Sequence, residues 1–475
     1  MSSFIPDVLA HRYASSALVE IWSEEGRVRL ERQFWIAVLK GQIEVGLDIP
    51  SEALAAYEAV KDQVDLESIR QRERRTRHDV KARIEEFCAL AGYEYIHQGL
   101  TSRDLTDNVE QYQIKRSLEL LQIKYCALLL RLAQRAEQWR DLVIAGRTHY
   151  AAAQPTTLGK RLASFGEEML LAFGRLESLI ANYPLRGLKG AVGTSLDQLT
   201  LLQDRPEDLA RLQQSIRQHL GFSREMNAVG QIYPRSLDFE VLSCLFQLGG
   251  GVANFARTWR LMAGTEGATE GFAEGQVGSS AMPHKMNTRS TERINGFQVV
   301  LGGFQQMVAS LVGDQWFEGD VSCSVVRRVA LPGAFFAFDG MLETALHVLD
   351  EMGVYEAVLR QDLQRYLPFL TTTTLLMRAV QEGAGREQAH EAIKEHAVAV
   401  ALDMRERALV HNDLAQRLAA DERFPLNAEA IAAALRQSAE SVGLARQQVE
   451  IFSQQVQQLI TRFPQARTLE KGALL

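Results

Sequence analysis

The stretch from residue 105 to about residue 140 most constrains the fold, because its apolar residues recur with helical rather than alternating period along its whole length. A helix of about 35 residues is roughly 50 Å long, well above the mean of globular proteins. Helices of that length occur where several helices bundle together. Four later segments carry the same pattern and predict the partners of this helix: residues 158–179, 237–262, 288–311 and 326–352.

The rest of the chain is also predicted to be mainly α-helical, since turn-bounded runs of β-branched residues are scarce. Earlier helices are expected over residues 27–45 and 66–90, and a polar turn at 95–104 leads into the long helix. From about Leu363 the helical segments shorten between glycine and proline residues. We therefore expect an N-terminal helical domain over 1–104, a central long-helix bundle over 105–362 and a C-terminal helical domain over 363–475.

Composition and charge exclude several classes of protein. With 46% hydrophobic and 23% charged residues over 475 positions, the chain is typical of a soluble globular protein. No uninterrupted apolar run reaches the roughly 18 residues that span a bilayer, and the N-terminus lacks a secretory signal pattern. A cytoplasmic protein without a membrane partner is expected. A net charge of −7 gives no bulk attraction for nucleic acid, so local arginines must bind any phosphate.

Metal and disulfide sites are not expected. The four cysteines, Cys88, Cys126, Cys244 and Cys323, include no Cys-x-x-Cys pair. No two histidines have the His-x-x-x-His spacing beside a carboxylate that is typical of zinc sites. The sequence therefore predicts a protein that works without a metal or another cofactor, and whose cysteines are buried.

The stretch GSSAMPHKMN at residues 278–287 is the strongest candidate for chemistry. Regularly spaced glycines precede it from Gly264 onward, which predicts a mobile polar loop that closes over a ligand. Ser279 or Ser280 could be a nucleophile, but the G-x-S-x-G turn of hydrolases is missing. A serine that acts as a base needs a lowered pKa, which Lys285 and the start of the following helix could provide. A plain flexible linker is the alternative, and the attached Met-Pro-x-Lys-x-Asn favours function.

Three histidines are candidates for binding or proton transfer. His149 lies in a polar loop before a helical pattern, and Glu292 could orient it as an acidic partner commonly does. His78 and His97 lie in polar turns and could anchor carboxylates. For His149 taken alone, a surface or capping residue is the alternative. Polar loops at 146–150, 189–195 and 231–235 are expected to gather at one level of the bundle.

Arg327 and Arg328 follow the hydroxyl-bearing Ser322 and Ser324. Hydroxyls beside a guanidinium pair could clamp a phosphate, a geometry in which arginine outperforms lysine. An ordinary surface arginine pair is an equally good interpretation of these residues taken alone.

The stretch at 278–287 resembles the signature of the fumarase/aspartase superfamily. Supporting matches run through nearly the whole chain, at residues 76–80, 97–102, 147–149 with 153–157, 187–194, and 315–318 with 324–328. Together they look like the members that release fumarate from succinylated purine nucleotides. The resemblance implies a three-domain, mainly α fold with a central long-helix bundle. It also implies a homotetramer that assembles through this bundle, with each active site built from three subunits.

The same resemblance implies a role for each matching residue. The substrates would be adenylosuccinate, which gives AMP, and the succinylated aminoimidazole carboxamide ribotide (SAICAR), which gives AICAR. Ser279 would abstract the proton beside a succinyl carboxylate, His149 would protonate the departing nitrogen, and Glu292 would hold His149. Lys285 and Asn287 would stabilise the carbanion-like intermediate. The remaining substrate contacts would come from His78, Asp79, Thr101, Ser102, Thr148, Gln231 and Met282, and the phosphate contacts from Arg12, Tyr13, Arg293, Ser324 and Arg328.

Two positions depart from the pattern of such relatives. Thr288 replaces a proline after Asn287, and threonine is a serviceable helix N-cap. Ala151 and Ala152 follow Tyr150 where relatives often have glutamine and proline, so substrate positioning could differ there. Another lyase of the superfamily, such as argininosuccinate lyase or a carboxymuconate cycloisomerase, is the first rival. A non-catalytic protein like δ-crystallin is the second.

Overall fold

The structure is a computed structural model that describes residues 7–271, 282 and 284–469. The N-terminal part of the chain is a series of helices that lead to the bundle: α1 (Val8–Arg12), α2 (Ser16–Trp22), α3 (Glu24–Glu44), α4 (Ser51–Val60), α5 (Leu66–Thr76) and α6 (Asp79–Ala91).

The single helix predicted over residues 66–90 is two helices. Arg77 has a left-handed backbone with φ 51°, and its N–H donates to the Glu73 carbonyl, which ends α5. His78 then caps α6, because its Nδ1 accepts a hydrogen bond from the Lys81 N–H at 3.2 Å. The periodicity missed this break because the apolar spacing continues across it, whereas the backbone turns at one residue.

The middle of the chain contains the long helices, two small sheets and the first strand of a third. In chain order the elements are α7 (Ser102–Gln138), β1 (Val143–Thr148), β2 (Ala151–Thr157), α8 (Leu158–Asn182), β3 (Pro184–Leu185), α9 (Leu196–Leu201), α10 (Pro206–Leu220), β4 (Arg224–Glu225), α11 (Ser236–Gly264), β5 (Ala268–Thr269), α12 (Arg289–Ala309) and α13 (Ser324–Glu351). Strands β1 and β2 form an antiparallel hairpin, whereas β3 and β4 pair in parallel.

Five helices, α7, α8, α11, α12 and α13, form the predicted bundle, and each begins within three residues of its predicted start. A capping box starts α7, because the Thr101 side chain accepts from the Asp104 N–H and the Asp104 carboxylate accepts from the Thr101 N–H. The core between the helices is aromatic at its centre, where the Tyr125 ring stacks with Phe173 and Phe338. The bundle is thus held by buried apolar packing.

The directions of the bundle helices follow from their contacts. Helices α7 and α13 are parallel, since Arg327 pairs with Glu110 near both starts and Arg131 pairs with Asp350 near both ends. Helix α11 shares this direction, because Asp238 at its start also pairs with Arg327. We call the end at which these three helices begin the proximal end, and the opposite one the distal end.

Helices α8 and α12 run the other way. The N–H of Gly159 donates to the Trp139 carbonyl at the end of α7, so α8 starts at the distal end. Asn295, early in α12, donates to the Ala253 carbonyl late in α11, while Gln305, late in α12, donates to Ser243 early in α11.

Two of the bundle helices, α11 and α13, are long and apolar enough to cross a membrane by length and composition alone. Both are largely buried within the bundle, which makes that match weak evidence for a span.

The C-terminal part contains β6 (Gly353–Val354), which pairs with β5, and then α14 (Glu356–Leu370), α15 (Thr372–Gln381), α16 (Arg386–Glu406), α17 (Leu414–Ala419), α18 (Ala428–Glu440), α19 (Ala445–Arg462) and a short 3-10 helix (Pro464–Arg467). Helices α15 to α18 bury an apolar cluster of their own around Leu375, Ile393 and Leu418. Helix α19 returns to the bundle, where the Phe452 ring packs against Gly166 of α8. The predicted boundary at residue 363 falls inside α14, and the division into three domains stays a prediction.

Candidate active site

A cleft at the proximal end gathers five of the predicted substrate-binding residues. It has a volume of ≈ 480 Å³ and lies between the first turns of α3, α6, α7 and α13. The predicted residues among its lining are His78, Asp79, Ser102, Ser324 and Arg328. These residues are up to 250 positions apart in the chain, and the parallel course of α7 and α13 brings them together.

The electrostatics of the cleft favour an anion. Four helices turn their N-terminal ends toward it, marked by Ser23, His78, Ser102 and Ser324 in its lining. Each helix start carries partial positive charge on unpaired N–H groups, so several starts that converge on one cleft add their fields. The helix starts therefore favour a ligand with more than one negative group, and they do so in a cleft that Glu24, Glu31, Asp79 and Glu110 also line.

The capping contact of His78 decides which ring nitrogen carries the hydrogen. Because Nδ1 accepts from the Lys81 N–H at 3.2 Å, the neutral ring holds its hydrogen on Nε2. Nε2 lies 3.5 Å from the Ser102 hydroxyl across the mouth of the cleft. His78 thus presents a hydrogen-bond donor to the cleft, as a residue that anchors a carboxylate must.

Asp79 lies at the rim beside His78, and Arg83 joins it to a buried acid. The Arg83 guanidinium contacts Asp79 at 3.1 Å and Glu31 at 2.7 Å. Burial raises the pKa of Asp79, but the charge of Arg83 and the hydrogen bonds from Arg83 and the Val80 N–H together outweigh it, and the net direction is downward. Burial raises the pKa of Glu31 despite the same guanidinium. Arg83 is therefore neutralised by the protein, and Asp79 stays an anion that faces His78.

Asp104 fixes the predicted residues Thr101 and Ser102 in place. One of its oxygens accepts from Thr101, and the other accepts from the Arg186 guanidinium at 2.8 Å and from the N–H groups of Lys189 and Gly190. The loop at 189–195 is thereby tied to the start of α7. Gln231 lies near the same end, where its N–H donates to the Glu318 carbonyl at 2.7 Å. No role of Asp104 was predicted from the sequence, although its spacing from Thr101 is the capping-box pattern.

Arg327 and Arg328 have different environments. Arg327 is buried, and its guanidinium binds Asp238 at 2.7 Å, Glu110 at 2.6 Å and the Tyr233 hydroxyl. Arg328 is exposed in the lining of the cleft beside Ser324. The pair is therefore neither a double clamp nor a surface pair, because Arg327 links three helices and only Arg328 faces a ligand.

His97 does not reach the cleft as a cation. Its Nδ1 accepts from the Trp35 indole N–H at 3.1 Å, and burial lowers the pKa of His97 to about 4. His78 lines the cleft, whereas His97 is not among its lining residues. The interpretation of His97 as a carboxylate anchor stays a prediction.

His149 and Thr148 lie at the opposite, distal end. The predicted loop is the tip of the β1–β2 hairpin, where His149 and Tyr150 take φ values of 52° and 64° in a two-residue turn. The adjacent Arg147 is fixed by two contacts of 2.8 Å with the Asp362 carboxylate of α14. His149 itself is exposed, and so is Thr148. The hairpin therefore holds the candidate acid outward, away from its own chain.

The described part of the signature stretch lies at the start of α12, also at the distal end. Lys285 and Met282 are exposed, and the Lys285 N–H donates to the Met282 carbonyl at 3.0 Å. Asn287 is half-buried, and Glu292 is exposed on the first turn of α12. Ser279, the candidate base, lies outside the described residues. Among the residues that the structure describes, no hydrogen bond joins Glu292 to His149 within one chain.

Glu270 caps α12, a role that the sequence did not reveal. Its carboxylate accepts from the N–H groups of Ser290 and Thr291 at 2.9 and 3.0 Å, and from the Thr291 hydroxyl at 3.2 Å. Thr288 occupies the N-cap position but its side chain makes no capping hydrogen bond. Glu270 thus supplies the N-cap that was expected from Thr288. It fixes the start of α12 next to Glu292.

Arg12, Tyr13 and Arg293 form a third group on the side of the bundle. The Tyr13 ring stacks edge-on against Phe297 at 5.2 Å, and the guanidinium groups of Arg293 and Arg12 lie 5.3 and 5.9 Å from its centre. Asp339 accepts from the Ser15 N–H at 2.6 Å and holds this segment against α13. These three predicted phosphate-binding residues are therefore brought together, but apart from Ser324 and Arg328.

The expectation that the polar loops gather at one level is wrong in part. The loops at 189–195 and 231–235 lie at the proximal end, whereas 146–150 lies at the distal end. Helix α7 alone has 37 residues, which separates the two ends by about 50 Å. Within one chain, His149 and Lys285 therefore cannot meet a ligand that His78 and Ser102 hold.

The described residues contain no group of three or more His, Cys, Asp and Glu side chains that could hold a metal ion. All four cysteines are buried and unpaired. The prediction that no metal or cofactor is needed remains a prediction.

The fold and the site together define a lyase of the fumarase/aspartase superfamily. The solved structure of 3-carboxy-cis,cis-muconate lactonizing enzyme from Pseudomonas putida superimposes with a TM-score of 0.81 at 22% identity, over 95% of this chain and 99% of that one. The fumarate lyase from Mesorhizobium sp. BNC1 gives a TM-score of 0.77 at 20% identity, over 94% and 99% of the two chains. The family described as Lyase matches residues 11–303.

Closer relatives narrow the assignment. Residues 368–452 match the family described as Adenylosuccinate lyase C-terminus. The adenylosuccinate lyase of Schistosoma mansoni is 33% identical over 94% of this chain and 93% of its own, and that of Saccharomyces cerevisiae is 32% identical over the same shares. The chain belongs to the adenylosuccinate lyase family and is a lyase.

Proposed function

We propose that this enzyme cleaves adenylosuccinate into AMP and fumarate, and SAICAR into AICAR and fumarate. Both substrates carry a phosphate and two carboxylates, and the cleft offers several positive helix starts with His78 Nε2–H, Ser102 and Arg328 in its lining. The convergence of these donors on one cleft is the observation that carries the proposal. Family membership supports the same substrates.

The reaction is a β-elimination. Ser279 takes the proton from the carbon beside a succinyl carboxylate, the electron pair moves to form the double bond of fumarate, and the C–N bond breaks. His149 gives a proton to the departing nitrogen. Lys285 and Asn287 stabilise the extra negative charge of the intermediate, and Glu292 holds His149. His78, Asp79, Thr101, Ser102, Thr148, Gln231 and Met282 bind the rest of the succinyl and base portions.

We further propose a homotetramer in which each active site draws on three chains. The predicted residues form separate groups at the proximal cleft, at the hairpin tip and at the start of α12, and the first lies about 50 Å from the other two. A neighbouring chain packed antiparallel would bring its distal end beside this cleft. Exposed apolar side chains on α12 and α13, Val299, Val325 and Val329, are 76%, 70% and 51% exposed and suit a contact between chains.

The activity is tested by the absorbance change on adding adenylosuccinate to the wild type, Ser279→Ala and His149→Ala. We expect the wild type to cleave it and both variants to lose several powers of ten in kcat with the oligomer intact. Cleavage of argininosuccinate instead would change the proposed substrate but leave the superfamily assignment intact. If neither compound reacts, a non-catalytic structural role is favoured.

Mixing two inactive variants tests the shared site. His149→Ala damages the distal end and His78→Ala the proximal end, so hybrid tetramers contain sites with both residues intact. Random mixing of equal amounts should restore about a quarter of wild-type activity. Each variant refolded alone is the control. If the mixture stays as inactive as the controls, each site lies within one chain.

We also propose that the enzyme works in the cytoplasm. Its four cysteines are buried and unpaired, which suits a reducing compartment.

A further inference from the structure

We propose that Arg103 is an additional substrate-binding residue, which holds a carboxylate of the succinyl group. This inference rests on the proposed cleavage of a succinylated nucleotide. Arg103 lies on the first turn of α7, directly after Ser102, and lines the proximal cleft. No motif in the sequence drew attention to it.

One face of α7 forms the floor of the cleft. Arg103, Thr106, Glu110 and Gln113 all line it and are spaced by three or four residues, which places them on the same side of a helix. The Thr106 hydroxyl is buried and has no hydrogen-bond partner among the described residues. A polar floor with an unused hydroxyl indicates that a ligand reaches past the rim formed by His78 and Ser102.

Arg103 is held by one contact that leaves donors unused. Its Nη1 contacts the Asp107 Oδ1 at 3.2 Å, and its side chain remains 20% exposed. No other hydrogen bond of this guanidinium is found among the described residues. Because the partner Asp107 is fully buried, the guanidinium is anchored and pre-oriented, and its remaining N–H groups suit the two oxygens of a carboxylate.

The other cations of the cleft have acidic partners or face another group. Arg83 is paired with Glu31 and Asp79, and Arg327 is paired with Asp238 and Glu110. Arg27, which also lines the cleft, interacts with the charge of the buried Glu31. Arg328 lies on α13 beside Ser324, where the phosphate is expected. Arg103 instead adjoins Ser102, which faces the His78 Nε2–H. Its position therefore favours a carboxylate over the phosphate.

Removal of Arg103 should leave the fold intact. Asp107 also accepts from the Arg235 guanidinium and from the Tyr233 N–H, both at 3.2 Å, so its charge stays paired in Arg103→Ala. Arg116, on the same helix but with a side chain 50% exposed, provides a matched control. Arg103→Lys keeps the charge and removes the planar pair of donors.

Calorimetric titration of the whole oligomer with fumarate and with AMP tests the inference. We expect Arg103→Ala to bind fumarate about 10- to 100-fold more weakly, Arg103→Lys to be intermediate, and Arg116→Ala to match the wild type. The affinity for AMP should change less than threefold in all of them. Thermal melting of each variant should stay within a few degrees of the wild type.

Two outcomes overturn the inference. Unchanged fumarate affinity with lower melting temperature assigns Arg103 a structural role, and weaker AMP binding with unchanged fumarate binding moves it to the phosphate. Both leave the proposed function standing if the wild type cleaves adenylosuccinate. If the wild type neither cleaves adenylosuccinate nor binds fumarate, the proposed function and this inference fail together. If the wild type binds fumarate but does not cleave adenylosuccinate, and Arg103→Ala loses the fumarate binding, the carboxylate site is upheld without the proposed reaction.

Discussion

Arg327 and Arg328 are adjacent near the start of α13, yet the first is buried among acids and the second is exposed in the cleft. Arg327 binds Asp238 of α11 at 2.7 Å and Glu110 of α7 at 2.6 Å. It therefore joins the starts of three helices, and the position of Arg328 relative to Ser102 depends on that junction. The two residues should respond to substitution in different ways.

We predict that Arg327→Met destabilises the fold and Arg328→Met weakens the substrate complex. Loss of one partner from a buried ion pair typically costs about 3–5 kcal/mol, whereas an exposed substitution changes stability by about 0.5 kcal/mol or less. Arg328→Met should instead raise KM for adenylosuccinate about tenfold or more, since it removes a charged hydrogen bond. Urea unfolding and steady-state kinetics separate the two. Equal loss of stability in both variants would show that Arg328 is also structural.

His78 has two functions that substitution can separate. Asn at this position keeps an acceptor for the Lys81 N–H but lacks the donor that Nε2 presents to the cleft. We expect His78→Asn to melt near the wild type while it loses at least tenfold in kcat/KM. His78→Ala should lose the same activity and in addition about 1 kcal/mol of stability through the lost cap. Wild-type activity in His78→Asn would show that His78 caps α6 but does not bind the substrate.

The sequence predicted the bundle well, because long periodic segments average out local irregularity. Helix α8 begins at Leu158 as expected, and α7 begins three residues early. The break at Arg77 and the hairpin around His149 were missed. Each depends on one or two residues with positive φ, and Ala151–Thr157 is poor in the β-branched residues that indicate a strand.

The candidate site was predicted as a set of residues but not as a geometry. Motifs identify His78, Ser102 and Arg328, but only the parallel course of α7 and α13 places them in one cleft. The sequence could not show that Arg327 is buried and Arg328 exposed, because the acidic residues that pair with Arg327 are about 90 and 220 positions away in the chain. Glu270 was missed for the same reason: its partners are 20 and 21 residues further on, beyond any local pattern.

Glu270 should control how α12 begins. Glu270→Ala removes the acceptor of the Ser290 and Thr291 N–H groups, and the Thr288 side chain makes no capping bond that could replace it. We expect a loss of about 1–2 kcal/mol in urea unfolding, together with lower kcat because Lys285 and Glu292 flank this start. Glu270→Gln keeps an acceptor and should recover most of the stability. If Glu270→Ala unfolds like the wild type, the cap contributes nothing.

Gly340 should be essential for the position of Tyr13. A Cβ on Gly340 would lie 2.8 Å from the Tyr13 Cβ and 3.1 Å from the Phe297 ring, so the segment with Arg12 and Tyr13 must move away in Gly340→Ala. We expect at least tenfold weaker AMP binding in calorimetry. Gly174→Ala, in α8, is the matched control, since its Cβ meets nothing within 4 Å. That variant should bind AMP normally and gain about 0.5–1 kcal/mol of stability. Unchanged AMP binding in Gly340→Ala would show that the position of Tyr13 does not matter for binding the phosphate.

His97 should make the protein less stable in mild acid. The unfolded imidazole takes up a proton with a pKa near 6.5, whereas burial keeps the pKa of the folded His97 at about 4. Between these values the unfolded state binds more protons, so the stability that this residue contributes is complete above about pH 6.5 and is lost as the pH falls toward 4. By pH 4 the loss should approach about 3 kcal/mol.

The comparison with His97→Asn isolates this effect from the carboxylates that titrate in the same range. Asparagine tolerates the left-handed backbone of His97, where φ is 65°, and carries no titrating group. Urea unfolding at pH 7 and pH 4.5 should therefore show a smaller decline for the variant than for the wild type, by about 2–3 kcal/mol. Equal declines would mean that the folded His97 takes up its proton as readily as the unfolded one, and that burial does not hold the ring neutral.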